Sequence, residues 1–251
     1  MPKVSVIIPC YNHGQYIDQA VESVLAQTFQ DFEVIIINDG STDSYTNELL
    51  LNYKKPKTRV IKTENCGPSS ARNMGINNAN GEYILPLDAD DYISNTYLEK
   101  AVKILDNELE IKIVYCMAEK FGNENQRWNL NKFSIEGMYL YNCIFSSALF
   151  RKDDWLRIDG YASDMTCGYE DWDFWLSILG TDGEVFRIPE VLFFYRIHDY
   201  SRNILIDWKK ETMLRYKIYR KHEKAYKKLK LRFRFLISSL NIISKKIRHK
   251  I

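Results

Sequence analysis

The stretch Tyr83-Ile84-Leu85-Pro86-Leu87-Asp88-Ala89-Asp90-Asp91 sets an apolar run of strand length directly against three carboxylates. A short apolar run closed by turn residues fits a strand buried on both faces, and in an open α/β sheet ligands collect at the carboxyl ends of such strands. Three acids crowded at that point repel one another unless a positive charge compensates them. A divalent cation would do so, because Mg²⁺ and Mn²⁺ are commonly held by one or two carboxylates together with substrate phosphate oxygens. Asp88-Ala89-Asp90 therefore marks a candidate site for a nucleoside diphosphate and its metal; without the preceding strand it would read as a capped turn.

Upstream residues repeat the same construction. Val4 to Pro9 reads as a buried strand, and Tyr16, Ile17, Ala20, Val21, Val24 and Leu25 recur at helical spacing, which predicts a helix over 15–26. Val34 to Ile37 is a second strand ending at Asn38-Asp39-Gly40, after which Ser41, Thr42 and Asp43 offer capping oxygens to a helix reaching about Tyr53. Thr58 to Lys62 is a third strand, and Gly67-Pro68 opens a helix continuing through Ala79. Downstream come a helix over 95–108, a strand from Ile111 to Cys116 and an irregular excursion or hairpin over 119–136. An apolar run over 145–150, a helix carrying Trp172, Trp175, Leu176 and Leu179, and a strand from Glu184 to Arg196 follow. Strands alternating with helices imply an α/β fold built on a mainly parallel sheet.

The 251 residues, 45% of them hydrophobic, suit one domain with an appendage. A formal net charge of +2 conceals a division: residues 209–251 hold 16 basic and 2 acidic side chains, which leaves residues 1–208 at −12. An acidic body argues against nucleic acid as a partner, since backbone binding needs clustered Lys and Arg. No run reaches the roughly 18 apolar residues of a membrane span. Met1-Pro2-Lys3 leads straight into the first strand without a cleavage pattern, so the expected location is cytoplasmic. Five cysteines, odd in number and without a C-x-x-C pair, are expected to be reduced and mostly buried.

Neither G-x-x-x-x-G-K-[ST] nor G-x-G-x-x-G occurs, so a nucleotide needs another cradle. The ends of the first two strands supply one: Tyr11 offers a face for stacking on a base and Asp39 an acceptor for its N–H, although a rim aromatic and a turn former would look the same. Glu170-Asp171 lies among Tyr169, Trp172 and Trp175, whose bulk would desolvate a carboxylate and raise its proton affinity, as a general base requires. Acids stabilising a helix N-terminus give the same pattern. His198 suits a metal ligand, a phosphate donor or a structural role; His13 has no assignable partner, and His222 and His249 read as solvated tail residues.

Five segments in order, Val4 to Asn12, Asn38 to Asp43, Asn65 to Asn73, Asp88 to Asp91 and Gly168 to Trp172, together resemble a family 2 glycosyltransferase. The resemblance implies a GT-A fold, a mixed, mainly parallel sheet flanked by helices, acting on a nucleotide-sugar donor with Mn²⁺ or Mg²⁺ and inverting the anomeric carbon. It places Tyr11 and Asp39 around the donor base, usually uracil, and Arg72 near the base or diphosphate. Pro9, Asn12, Asn65, Gly67 and Ala89 complete the donor set. Asp88 would contact the ribose and help hold the metal, Asp90 would be its principal ligand, and Asp171 the base, with Glu170 as the alternative. Tyr195-Arg196-Ile197-His198 followed by Ser201 resembles a late Y-R-x-H-x-x-S segment that brings His198 to the metal or diphosphate.

This divides the chain into a domain over 1–208, with a nucleotide-sugar half to about 116 and an acceptor and base half over 117–208, and a basic amphipathic tail over 209–251. The implied acceptor is a saccharide or lipid-linked saccharide of a bacterial surface glycan, taking one sugar at a time. A nucleotidyltransferase and a catalytically silent binding module are the alternatives. In the tail Phe233, Leu236, Leu240, Ile243, Ile247 and Ile251 form one stripe among Lys and Arg, which suits an anionic membrane surface on the cytoplasmic side, a helix packed on the acidic body, or a dimer contact. If the tail is only an anchor, deleting 226–251 releases the protein from anionic liposomes and spares its activity.

Overall fold

The structure, a computed structural model, describes residues 1–165, 168–198 and 207–248, with side chains 242, 243 and 245–248 outside that description. The β-branched runs form β1 (Val4–Cys10), β2 (Phe32–Asp39) and β3 (Thr58–Thr63), and the apolar run before the acids forms β4 (Tyr83–Pro86). Between them lie α1 (Gly14–Leu25), α2 (Ser44–Leu51) and α3 (Gly67–Asn77). Asp43 caps α2 by accepting from the Thr46 N–H, and Pro68 stands in the first turn of α3, where no intrahelical donor is lost.

All four strands run parallel in the order β3-β2-β1-β4. The chain leaves β1 toward β2 on one side and returns to β4 on the other. That reversal opens a crevice at the carboxyl ends of β1 and β4, the place where such sheets bind ligands. Gly75 brings α3 down onto the sheet: a Cβ there would lie 2.3 Å from Ile7 Cγ2. Arg72, three residues earlier on the same helix face, is thereby carried to the crevice.

The sheet continues through β8 (Leu149–Arg151), antiparallel to both β4 and β6 (Ile111–Gly122), to β9 (Glu184–Ile197), parallel to β6, and ends at β5 (Tyr92–Ile93). The long ladders are the parallel ones. The strand expected over 111–116 runs on to Gly122 and turns back through β7 (Gln126–Trp128), so the excursion is a hairpin. Helices α4 (Tyr97–Asn107), α5 (Ile135–Met138), α6 (Lys152–Arg157) and α7 (Glu170–Leu179) flank this part.

The tail forms α8 (Trp208–Lys221), α9 (Glu223–Lys228) and α10 (Arg232–Arg248). It is packed into the body: Leu214, Ile218, Tyr226, Leu231 and Phe235 are buried. His222, expected to be solvated, is instead bonded to the buried Asp173 at 2.9 Å, with Lys221 on the other oxygen at 2.6 Å. Burial works against the charge of Asp173, and these two partners together hold its carboxylate below the ordinary value. Cys10, Cys116 and Cys143 are free and buried, whereas Cys66 is free and exposed; Cys167 and His249 lie outside the described residues.

Candidate active site

The crevice is lined by three loops tied to one another. Asn12, at φ 56°, accepts from the Thr42 N–H at 2.8 Å and the Asp43 N–H at 3.2 Å, and its amide donates to Thr42 Oγ1 at 3.0 Å. Asp39 accepts from the Cys66 and Gly67 N–H groups at 2.9 and 3.0 Å. Gly40, at φ 64°, lies so close to the third loop that a Cβ would sit 2.4 Å from the Asn65 nitrogen. Asn12 and Asp39, placed by the resemblance around the donor, thus also bind loop to loop. Tyr11 remains exposed on the rim with Asn65, while Pro9 is partly buried behind it.

Arg72 departs most from its expected place. Its side chain is 1% exposed, and its terminal nitrogens donate to Asp88 at 2.7 Å and to Glu170 at 3.0 Å. Rather than facing a ligand, it joins the acids after β4 to the acids opening α7, a contact spanning 98 positions. Burial alone would disfavour the guanidinium's charge, but the two carboxylates reverse the balance and raise its pKa. Asp88 also accepts from Ser146 Oγ at 3.3 Å, a hydroxyl brought up by the chain entering β8. Ala89 is buried beneath the turn.

The pairing of β5 with β9, Tyr92 opposite Phe194, carries Arg196 alongside Asp90 when continued two residues. Arg196 donates its backbone N–H to Asp91 and its Nε to the Asp90 carbonyl, both at 2.8 Å, between the rings of Tyr16 and Phe121. Asp91 is buried, and burial with the charges of Asp90 and Asp88 pushes its pKa well above the carboxylate range. It is a strut holding the turn, not a third ligand. One residue past β9, His198 Nε2 lies 2.8 Å from Asp90 Oδ2, and His13 Nδ1 lies 3.9 Å from Oδ1.

Donor atoms of His13, Asp90 and His198 all fall within 4.8 Å of one another, and among the described residues this is the group able to hold a metal ion. Of the expected set of Asp90, Asp88 and His198, this group contains Asp90 and His198 and adds His13, while Asp88 is bonded to Arg72. Two imidazoles and a carboxylate fit a divalent first-row ion such as Mn²⁺ better than Mg²⁺, which favours oxygen ligands alone.

Asp171 is the second residue of α7, which starts just beyond Tyr169, held at φ 65°. Its carboxylate accepts from the Trp172 N–H at 2.7 Å and from the Asn142 amide at 2.9 Å. Burial, with Glu170 adding like charge, pushes its pKa up to about 7; Arg72, the Trp172 N–H and Asn142 act against the rise. Glu170 is buried and held by Arg72. Sequence reasoning missed Asn142 and Ser146, for which no local signal exists, and left His13 unassigned although it stands at the carboxyl end of β1.

A strand-end crevice bearing an acidic turn on one wall and an acid-tipped helix on the other, within this sheet order, is a GT-A fold. The chain belongs to glycosyl transferase family 2, whose family model matches residues 5–170. An uncharacterised glycosyltransferase of Rickettsia typhi is 34% identical over 79% of this chain, and one of Methanocaldococcus jannaschii is 29% identical over 90% of this chain and 81% of its own length. The chain spans 65% of the Rickettsia typhi relative and between 15% and 17% of several longer relatives. The crystal structure of S. aureus TarS 1–349 in complex with UDP-GlcNAc superposes with a TM-score of 0.69 at 20% identity, over 84% of this chain and 65% of that one, a likeness of fold.

Proposed function

We propose that this chain is an inverting glycosyltransferase that moves a monosaccharide from a UDP-sugar to a saccharide or lipid-linked saccharide hydroxyl in bacterial surface glycan synthesis. The observation that carries the reading is the Arg72 bridge, which fixes the metal-side acids and the base-side acids against a single guanidinium. The UDP-GlcNAc bound to the similarly folded TarS supports the choice of donor class.

In this reading Tyr11 stacks on the base, and the linked loops of Asn12, Asp39, Asn65 and Gly67 shape the donor cradle behind it. Asp90, His198 and His13 would hold Mn²⁺ or Mg²⁺, which when bound neutralises charge on the diphosphate. Asp171 takes the proton of the acceptor hydroxyl as that oxygen attacks the anomeric carbon from the face opposite the diphosphate. With a pKa near 7 it is poised to accept a proton at neutral pH. One base suffices for inversion, and Glu170, committed to Arg72, is left to position the bridge.

Two measurements test this. Release of UDP from a panel of UDP-sugars, with Mn²⁺ and then with chelator, should be found for at least one donor and abolished by the chelator. Silence across the panel, with no UDP binding by calorimetry, overturns the reading. Asp90→Ala and His198→Ala should each weaken Mn²⁺-dependent UDP binding by at least about 10- to 100-fold, the range already seen when partners outside the metal's own ligands are lost. Binding that persists unchanged would remove these residues from the metal set.

The membrane reading of the tail takes a new form. Phe233, Leu236, Ile237 and Leu240 are exposed on α10 beside basic residues, and α10 is the surface we propose for an anionic leaflet, each nearby Lys or Arg contributing about 1 kcal/mol. Ile251 and the side chains of Ile243 and Ile247 lie outside the described residues. Because Tyr226, Leu231 and Phe235 are core residues, deleting 226–251 would open the body rather than spare it. The suitable variant is Phe233→Glu with Leu240→Glu, which should abolish sedimentation with phosphatidylglycerol vesicles while leaving UDP binding intact; undiminished sedimentation would dismiss α10 as the contact. No helix among the described residues is long and apolar enough to cross a membrane.

A further inference from the structure

The tail touches the surroundings of the candidate base. Arg215, on α8, is 2% exposed, and its acceptors are neutral: the Leu140 carbonyl at 3.1 Å, Ser238 Oγ at 2.9 Å and Ser239 Oγ at 2.8 Å. Its guanidinium carbon also lies 5.3 Å from the centre of the Trp172 ring. A buried charge is costly unless its donors are satisfied, and the groups that satisfy Arg215 are held in place by it in turn. Leu140 precedes by two residues Asn142, one of the two donors on the Asp171 carboxylate, and Trp172 supplies the other. The two walls are joined again by the Trp172 indole N–H, which donates to the Met138 carbonyl at 2.7 Å. From the tail side, Tyr226 donates to the Tyr139 carbonyl at 2.7 Å, so the segment over 138–142 is gripped along its length.

We propose that Arg215 is a positioning residue for sugar transfer: by holding the Leu140 carbonyl and the Trp172 ring together, it sets the two donors that aim the Asp171 carboxylate at the acceptor. The inference rests on the reading of Asp171 as the base. It makes the C-terminal helices part of the catalytic unit.

Arg215→Met is the first test, because it keeps the length of the buried side chain while removing its charge and its donors. A reactive group displaced by about 1 Å can cost on the order of 100-fold in rate, so kcat should fall by about 10- to 100-fold. The KM for the donor and Mn²⁺-dependent UDP binding should stay at their wild-type values. Loosening the Asn142 donor disfavours the carboxylate, so the acid limb of the kcat profile should move to higher pH. Of the other charged or titratable groups facing Asp171, Glu170, Arg72 and Tyr161 keep their partners, whereas Tyr169 loses the neighbouring Arg215 charge and its phenol becomes harder still to ionise, so it stays neutral. Arg215→Lys, which restores the charge and one donor, should recover part of kcat.

A wild-type kcat and an unmoved acid limb in Arg215→Met would overturn the proposal. If that variant does not fold, Ser238→Ala with Ser239→Ala removes two anchors of Arg215 and must show the same fall in kcat and the same shifted limb; their absence overturns it equally. Asp171→Asn measured in parallel separates the two readings. Full turnover in Asp171→Asn defeats the base assignment itself, whereas a crippled Asp171→Asn beside an unaffected Arg215→Met defeats the positioning role alone.

Discussion

Asp171→Asn should lower kcat by about 10²- to 10⁴-fold, the usual contribution of a general base, and leave donor affinity unchanged. The change removes the proton acceptor without altering size, and nothing in the donor cradle depends on it. The pH dependence has a definite sign. Burial and Glu170 raise the Asp171 pKa from the ordinary 3.8 to about 7, so the carboxylate form needed for catalysis is lost as pH falls through 7. The wild-type rate should therefore decline on the acid side of neutrality, and the variant should show no such limb. The fold should tolerate the substitution, since the group removed is one whose charge the pocket disfavours. Initial rates from about pH 5 to about pH 9, a range that brackets the raised value of about 7, decide the matter; a variant as fast as wild type would move the base elsewhere.

The largest expected loss of stability comes from Arg72→Met. Asp88 and Glu170 would be left facing each other without the cation between them, and breaking a buried ion pair from one side costs about 3–5 kcal/mol. For a domain of this size that lowers the melting temperature by about 6–20 °C. UDP binding should fail as well, because the turn bearing Asp90 loses its fixed end. The cause can be isolated: adding Asp88→Asn and Glu170→Gln removes the repulsion between the two carboxylates, so the triple variant should regain most of the melting temperature but no transfer activity. Thermal unfolding of Arg72→Met that matches wild type would mean the bridge contributes nothing.

Much of the architecture was legible because it is local. Runs such as Val34 to Ile37 and the capping oxygen of Asp43 declare their structure within a few residues, and the acids after β4 declare theirs by standing at a strand end. The extension of β6 through Glu119 and Lys120 was not legible, since those polar residues are held between β7 and β9, and the β9 partners Phe194 and Tyr195 lie far along the chain. Asn142 is a lone amide in a mainly apolar run from Met138 to Phe145, and only closure of the fold delivers its side chain to Asp171. His222 looked solvated because its neighbours, Lys221, Glu223 and Lys224, are all charged; the partner that buries it, Asp173, lies 49 positions away. Arg72 stood in a segment whose resemblance was plain, yet whether it faced a ligand or two acids depended on α7, which sequence distance conceals.

The rim of the crevice has a bearing on how relatives of this chain could diverge. Asn12 joins the first loop to the second, and Asp39 joins the second to the third, each through main-chain amides of the neighbour. A chimera that imported any one loop would arrive with a mismatched joint, whatever side chains it brought to the nucleotide. Inheritance of this rim should be collective, with the three segments exchanged as a set or left alone.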